Sequence, residues 1–179
     1  ATRNPDWIAL VTPDGKEHTA GELLAAANQV SHGLRALGLT KADTVAVVLP
    51  NSFEFLAVYL GATQIGLYFT PANHHLVGPE IAYIVDNSEA KAFISNEEFA
   101  GEIARVLPEI PNVPENARFA VGSIEGMRPF AELLAGQPTT APDDRIAGGP
   151  MHPAHTGALT LTLVPTGRYG GTGYRGESR

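Results

Sequence analysis

Near the end of the chain, "GGTGYRG" (residues 170–176) places Gly171, Gly173 and Gly176 at the G-x-G-x-x-G spacing of nucleotide-binding loops. Glycines let a backbone approach a pyrophosphate, but the anion itself is held by the first N–H groups of a helix that follows at once. Only Glu177, Ser178 and Arg179 remain after Gly176, too few for one stable helical turn. The stretch therefore reads as a flexible, mildly basic tail, with the phosphate loop as the rival reading. His152 and His155 make an H-x-x-H pair, but Pro153 intrudes and no third ligand is near in sequence, so no metal site is expected. Glu97-Glu98 and Asp143-Asp144 are adjacent carboxylates whose side chains point apart, which suits solvated surface better than acid–base chemistry. "PANHHL" (71–76) offers His74 and His75. An imidazole there can donate to a phosphate but lacks the guanidinium fork; the bland alternative is a loop pair that caps strand and helix ends. No catalytic residue is expected in any of these stretches.

The elements that must position these residues belong to a globular chain. Its 179 residues suffice for one well-buried core, and 44% hydrophobic with 17% charged residues fits a folded domain rather than disorder. A net charge of −7 argues against nucleic acid as a partner. The charge is uneven: beyond residue 145, Arg168, Arg175 and Arg179 face only Glu177. With no cysteine, disulfides and thiolate metal sites are excluded. No apolar run approaches ~20 residues, so no transmembrane segment is expected, and the expected location is cytoplasmic.

Ile8 to Val11 reads as a strand, followed by a Pro13-Asp14-Gly15 turn and a short return strand over Lys16 to His18. Thr19 and Glu22 have the spacing of a capping box. The helix they open carries Leu23, Ala27, Val30, Leu34 and Leu37 on one face, and Gly38 ends it. "TVAVVL" (44–49) is the continuous β-branched run of a strand buried on both faces. Asn51 and Glu54 repeat the cap spacing before an apolar helix from Phe53 to Ile65, and "LYFT" (67–70) follows Gly66 as a strand. Pro79 is expected at the first position of a third helix, with Ile81, Ile84 and Val85 inward. "KAFIS" (91–95), a helix over 99–107, a proline-bearing loop and the strand "ARFAVG" (117–122) complete the alternation. Strand and helix alternating in this way predict an α/β fold, a layered, mostly parallel sheet flanked by helices, over residues 1–136. From 137 to 179 Pro, Gly and Thr dominate, and only "LTLTLV" (159–164) alternates like an exposed strand.

The order of particular residues goes further. Thr19 with Glu22-Leu23, Gly38, Asp43 with Val45-Ala46-Val47, Asn51 with Glu54, Gly61-Ala62, Gly66, Pro71 with Asn73, Glu80, Tyr83, and Ser88 with Ala90 are landmarks in sequence. Over about residues 4–150 the chain resembles the N-terminal part of the adenylate-forming enzymes: acyl-CoA synthetases, luciferases and adenylation domains. In character it is most similar to bacterial fatty-acyl-CoA ligases. The resemblance implies a reaction in which a carboxylate attacks the α-phosphate of ATP, helped by Mg²⁺, before the CoA thiol displaces AMP from the acyl-adenylate. It also implies a CoA contact at His75, where several CoA ligases carry an arginine near the nucleotide end of CoA.

The same resemblance marks a departure. After a segment like "DDRIAGGPM" (143–151) the family has a Thr-Ser-Gly-Thr-Thr-Gly-x-Pro-Lys-Gly-like phosphate loop. Here the chain reads "HPAHTGALTLTLVPTGRYGGTGYRGESR", with no lysine. The expectation is an N-terminal fragment of an ATP-dependent acyl-CoA ligase, inactive alone, whose partner is the remainder of the ligase. ATP, Mg²⁺ and CoA are cofactors of the full enzyme and are expected not to bind this chain tightly. The rivals are a non-catalytic module that binds a protein through its exposed surface, and a small nucleotide-binding protein using the glycine-rich tail.

Overall fold

A computed structural model describes residues 4–146. The "LTLTLV" segment, His152, His155 and "GGTGYRG" lie outside the described residues. Strands β1 (Ile8–Val11) and β2 (Glu17–Thr19) form an antiparallel hairpin. Its turn is closed by the Gly15 N–H donating to the Thr12 carbonyl at 2.8 Å. Helix α1 (Ala20–Ala36) starts at a complete capping box. The Thr19 N–H donates to the Glu22 carboxylate at 2.8 Å, and the Glu22 N–H donates back to the Thr19 hydroxyl at 3.1 Å. Val30 and Leu34 are fully buried, while Leu23 and Leu37 pack half-buried on the same core.

Strand β3 (Thr44–Val48) is buried at every position, as a continuous β-branched run requires. It pairs in parallel with β4 (Tyr68–Pro71) on one side and β5 (Ala90–Asn96) on the other, so that Val47 faces Pro71 and Ile94. Then follow β6 (Arg118–Val121) and the two-residue β7 (Arg128–Pro129), giving a five-stranded all-parallel sheet in the order β4-β3-β5-β6-β7. The expected neighbours "TVAVVL", "LYFT" and "KAFIS" are thus adjacent. This is a doubly wound order, whose direction reverses at β3. Right-handed crossovers taken in opposite directions put α2 (Phe53–Gln64) and α3 (Gly78–Asn87) on opposite faces. Helix α1 packs with α2 and with α5 (Phe130–Leu134), and α3 packs with α4 (Ala100–Val106).

Local signals differ from the sequence reading in small ways. The cap of α2 is Ser52, not Asn51: its hydroxyl accepts the Phe55 N–H at 3.2 Å. Pro79 is the second residue of α3, not its first, because Gly78 already has helical geometry and Val77 takes the cap position. Gly78 is drawn into the helix by its own N–H, which donates to the Glu102 carboxylate of α4 at 2.7 Å. Short β7 and α5 were invisible as sequence periodicity, since elements of two and five residues complete no repeat.

The two helices over β4 and β3 approach closely at Gly61, where an added Cβ would stand 2.6 Å from the Ala27 carbonyl. Ser31, fully buried, donates to the Gly61 carbonyl at 2.7 Å and receives the Gln64 amide at 2.6 Å. Gln64 also reaches Asn28 at 3.2 Å, and the buried Asn28 amide donates to the Thr139 carbonyl at 2.7 Å. Residues 137–146 thereby run as a strap over α1. His32 Nε2 serves as donor to the Thr140 carbonyl at 3.0 Å, and Arg35 pairs with Asp144. The strap ends with the Ile146 N–H on the Gln64 carbonyl at 3.0 Å.

Two outcomes follow from this architecture. Val47 is 1% exposed at the centre of β3, so Val47→Asp places an unpaired carboxylate in an apolar layer. Urea titration should show a loss of about 4 kcal/mol or more; an unchanged midpoint contradicts the arrangement. The second outcome concerns the capping box. The Thr19 N–H holds the Glu22 carboxyl below the ordinary carboxylate range. Such a depressed group stabilises the fold above its unfolded pKa, and the contribution is lost as pH falls through the folded value. Thermal melts from pH 7 to 2.5 should therefore fall less steeply on the acid side in Glu22→Gln than in the unaltered chain. Parallel curves refute the box.

Candidate functional site

In a doubly wound sheet, ligands bind outside the carboxyl ends of the strands where the order reverses. Here that edge is built from the loops after β3, β4 and β5. After β3, Ser52 spends its hydroxyl on the first turn of α2, and Glu54 occupies the same turn. After β5, the buried Ser95 hydroxyl donates to the Val48 carbonyl at 3.1 Å, stitching β5 to β3 at their ends. Asn96 then accepts the Glu98 N–H at 2.9 Å and turns the chain. Glu97 accepts the Ser123 N–H at 3.0 Å, tying this corner to the loop after β6. Its carboxylate lies so close to Gly122 that an added Cβ there would meet it at 2.2 Å.

After β4, Asn73 accepts the His75 N–H at 3.0 Å in an Asx turn. That turn presents both imidazoles to solvent. The His74 and His75 rings lie 4.1 Å apart, and His74 stacks on Phe99 at 5.2 Å with planes 21° apart. Phe99 belongs to the turn after β5, so the His74–Phe99 stack joins the ends of β4 and β5, which flank β3. Sequence reading found His74 and His75 but not Phe99, because only the β4-β3-β5 order brings residues 74 and 99 together.

The paired carboxylates do not form acid–base pairs. Glu97 is committed to Ser123, and Asp144 to Arg35 across an exposed surface, where an ion pair adds little. Among the described residues no group of three His, Asp or Glu side chains could hold a metal ion. No helix among them is long and apolar enough to cross a membrane.

Carboxylates stand on this edge among the described residues. At the start of α2, where a helix N-terminus would attract an anion, Glu54 already supplies the negative charge. Glu97 adds a second carboxylate to the same edge. Such an edge repels phosphate unless lysine, arginine or Mg²⁺ intervenes, and no lysine follows Lys91 in the sequence.

Fold and edge therefore define a doubly wound, parallel α/β unit. Residues 1–153 match the family of AMP-binding enzymes, and the chain belongs to that family. It is 37% identical over 95 residues to the long-chain-fatty-acid–CoA ligase FadD13 of Mycobacterium tuberculosis, covering 52% of this chain and 19% of that one. It is 28% identical over 162 residues to the medium/long-chain-fatty-acid and 3-oxocholest-4-en-26-oate CoA ligase of the same species, covering 87% and 29%. The fold matches the N-terminal domain of FACL13 from M. tuberculosis with a TM-score of 0.68 at 29% identity, over 79% of this chain and 35% of that one. It matches the anthranilate CoA ligase AuaEII, solved with anthranoyl-AMP, with a TM-score of 0.70 at 26% identity, over 84% and 28%. The chain thus spans less than a third of the length of either curated ligase.

Proposed function

We propose that the chain is the N-terminal part of an ATP-dependent ligase that joins fatty acids to CoA in the cytoplasm, and that the 179 residues alone do not catalyse the reaction. The observation that carries the reading is the match of residues 1–153 to the AMP-binding enzymes, together with curated relatives that are fatty-acid CoA ligases. Inactivity is supported by the chemistry of the carboxyl edge. Glu54 and Glu97 stand there without a lysine-bearing loop after residue 151, and stabilising charge on a transferring phosphoryl group needs cations and oriented N–H groups. A second reading, a non-catalytic module for a protein partner, is favoured by Trp7 and Val11, which are 64% and 56% exposed on the hairpin.

Within the ligase reading, His75 is the residue assigned to CoA. Its ring is exposed and its loop is fixed by Asn73, so the chain can offer one hydrogen bond to a phosphate there. The chemistry CoA would supply, a thiol nucleophile, lies at the far end of that molecule. His75 serves only to orient.

Isothermal titration of the full chain with Mg-ATP should show no affinity tighter than about millimolar, roughly −4 kcal/mol. Carboxylate-dependent exchange of pyrophosphate into ATP should be at background. Measurable exchange overturns the claim of inactivity. In a chimera joining residues 1–150 to the rest of M. tuberculosis FadD13, exchange should return if the chain is a ligase segment; a folded but inactive chimera favours the partner-binding module. In that chimera His75→Arg should lower the KM for CoA severalfold and leave the ATP dependence unchanged, because a fixed positive charge then meets a phosphate. An unmoved CoA dependence returns His75 to a purely structural loop role.

A further inference from the structure

The loop that carries His75 has its backbone fixed from both sides. Asn73 accepts the His75 N–H at 3.0 Å through its side chain and the Leu76 N–H at 3.1 Å through its carbonyl. Leu76 then packs half-buried on the core, and Val77 takes the cap position of α3. What the backbone leaves open is the direction of two exposed imidazoles, His74 and His75. Every side-chain torsion that a ligand has to freeze weakens its binding.

Phe99 removes that freedom at His74. Its ring is half-buried against the core, and it ends the short turn Glu97–Phe99 that leads into α4. Two contacts hold this end of α4 against the start of α3, directly behind the loop. The Gly78 N–H donates to the Glu102 carboxylate at 2.7 Å, and a Cβ added at Gly78 would stand 2.8 Å from the Arg105 Cβ. From that anchorage the phenyl ring lies 5.2 Å from the His74 ring with planes 21° apart, within the range of favourable stacking. Among the described residues no hydrogen bond orients the His74 ring, so the stack does. The His75 ring lies 4.1 Å from that of His74, tilted by 46°. Contact thus passes from the packed core through Phe99 and His74 to His75.

We propose that Phe99 and His74 are positioning residues, whose stack braces the His75 ring in the direction from which its N–H meets a phosphate of CoA. The proposal rests on the assignment of His75 to CoA within the ligase reading. His74 acts in it as a flat ring and not as a donor. That separates the brace from a loop in which both histidines bind the anion.

The test follows the His75 ring signals by NMR in the full chain, identified through their loss in His75→Gln, while CoA is raised to tens of millimolar. A saturable shift is expected. His74→Phe, which keeps a flat ring and loses the donor, should retain the dissociation constant, whereas His74→Leu should weaken it on the order of threefold. Phe99→Tyr and Phe99→Leu should divide in the same way. The His74 pair stands on an exposed loop and keeps the test in force where Phe99→Leu disturbs the fold. In the chimera with FadD13, His74→Leu should raise the KM for CoA by the same factor without lowering kcat. Equal constants for His74→Phe and His74→Leu overturn the brace. If both stay at the unaltered value, His75 needs no support; if both are weakened, His74 is itself a donor. Absence of any CoA-dependent shift at His75 overturns its assignment to CoA and the brace with it. Pyrophosphate exchange by the chimera would still uphold the ligase reading in that case.

Discussion

Strand β3 sits where every other part of the domain meets. Its five residues are buried on both faces, and its backbone is bonded in parallel to a strand on either side. A parallel strand in that position has no route to water for its polar groups, so both ladders must form together. Helices then have to cover both faces, and the reversal of strand order at β3 distributes them: α1, α2 and α5 pack together, and α3 with α4. Apolar packing by itself would allow several arrangements of such helices. Continuous pairing on both sides of β3 allows few.

The layer formed by α1 and α2 shows how closeness and polarity are reconciled. Gly61 lets the two helices approach until Ala27 and Val30 touch its backbone. At that separation, the buried Ser31 hydroxyl, the Asn28 amide and the Gln64 amide satisfy one another and the Gly61 and Thr139 carbonyls. Buried polar groups of this kind are costly when left unpaired and specify one arrangement when all are bonded. The strap over residues 137–146 is part of this account, because it supplies the carbonyl that Asn28 requires.

Carboxyl-edge chemistry follows from how the loops are fixed. Asn73, Asn96 and Ser52 each spend a side chain on the backbone of a turn, and Ser95 spends its hydroxyl on the end of β3. Glu97 does the same for the loop after β6. The edge is therefore well ordered but already occupied by its own hydrogen bonds, with carboxylates in excess. His74, stacked on Phe99, and His75 beside it face solvent at this edge. Membership of the AMP-binding family stands on the match over residues 1–153, and Asn73, one of the landmarks of the sequence, builds a corner of this edge.

Those landmarks show what was legible. Thr19 with Glu22 caps a helix, Asp43 accepts the Thr40 N–H at 2.7 Å, Glu80 accepts the Val77 N–H, and Gly66 takes a φ of +76°. Each acts within a few residues of itself, so local spacing suffices to find it, and their order identified the family and the parallel α/β layers. Ser52 rather than Asn51 caps α2, a choice between adjacent side chains that spacing alone does not make. The sequence by itself determined the elements up to β6, the buried central strand and the lack of lysine after Lys91, because periodicity, caps and composition are properties of neighbouring residues. Tertiary structure alone decided that residue 74 stacks on residue 99, that Glu97 reaches Ser123, and that an apolar groove opens between α2 and α5. Those contacts join segments separated along the chain, and only strand order and helix crossing bring them within a few ångströms.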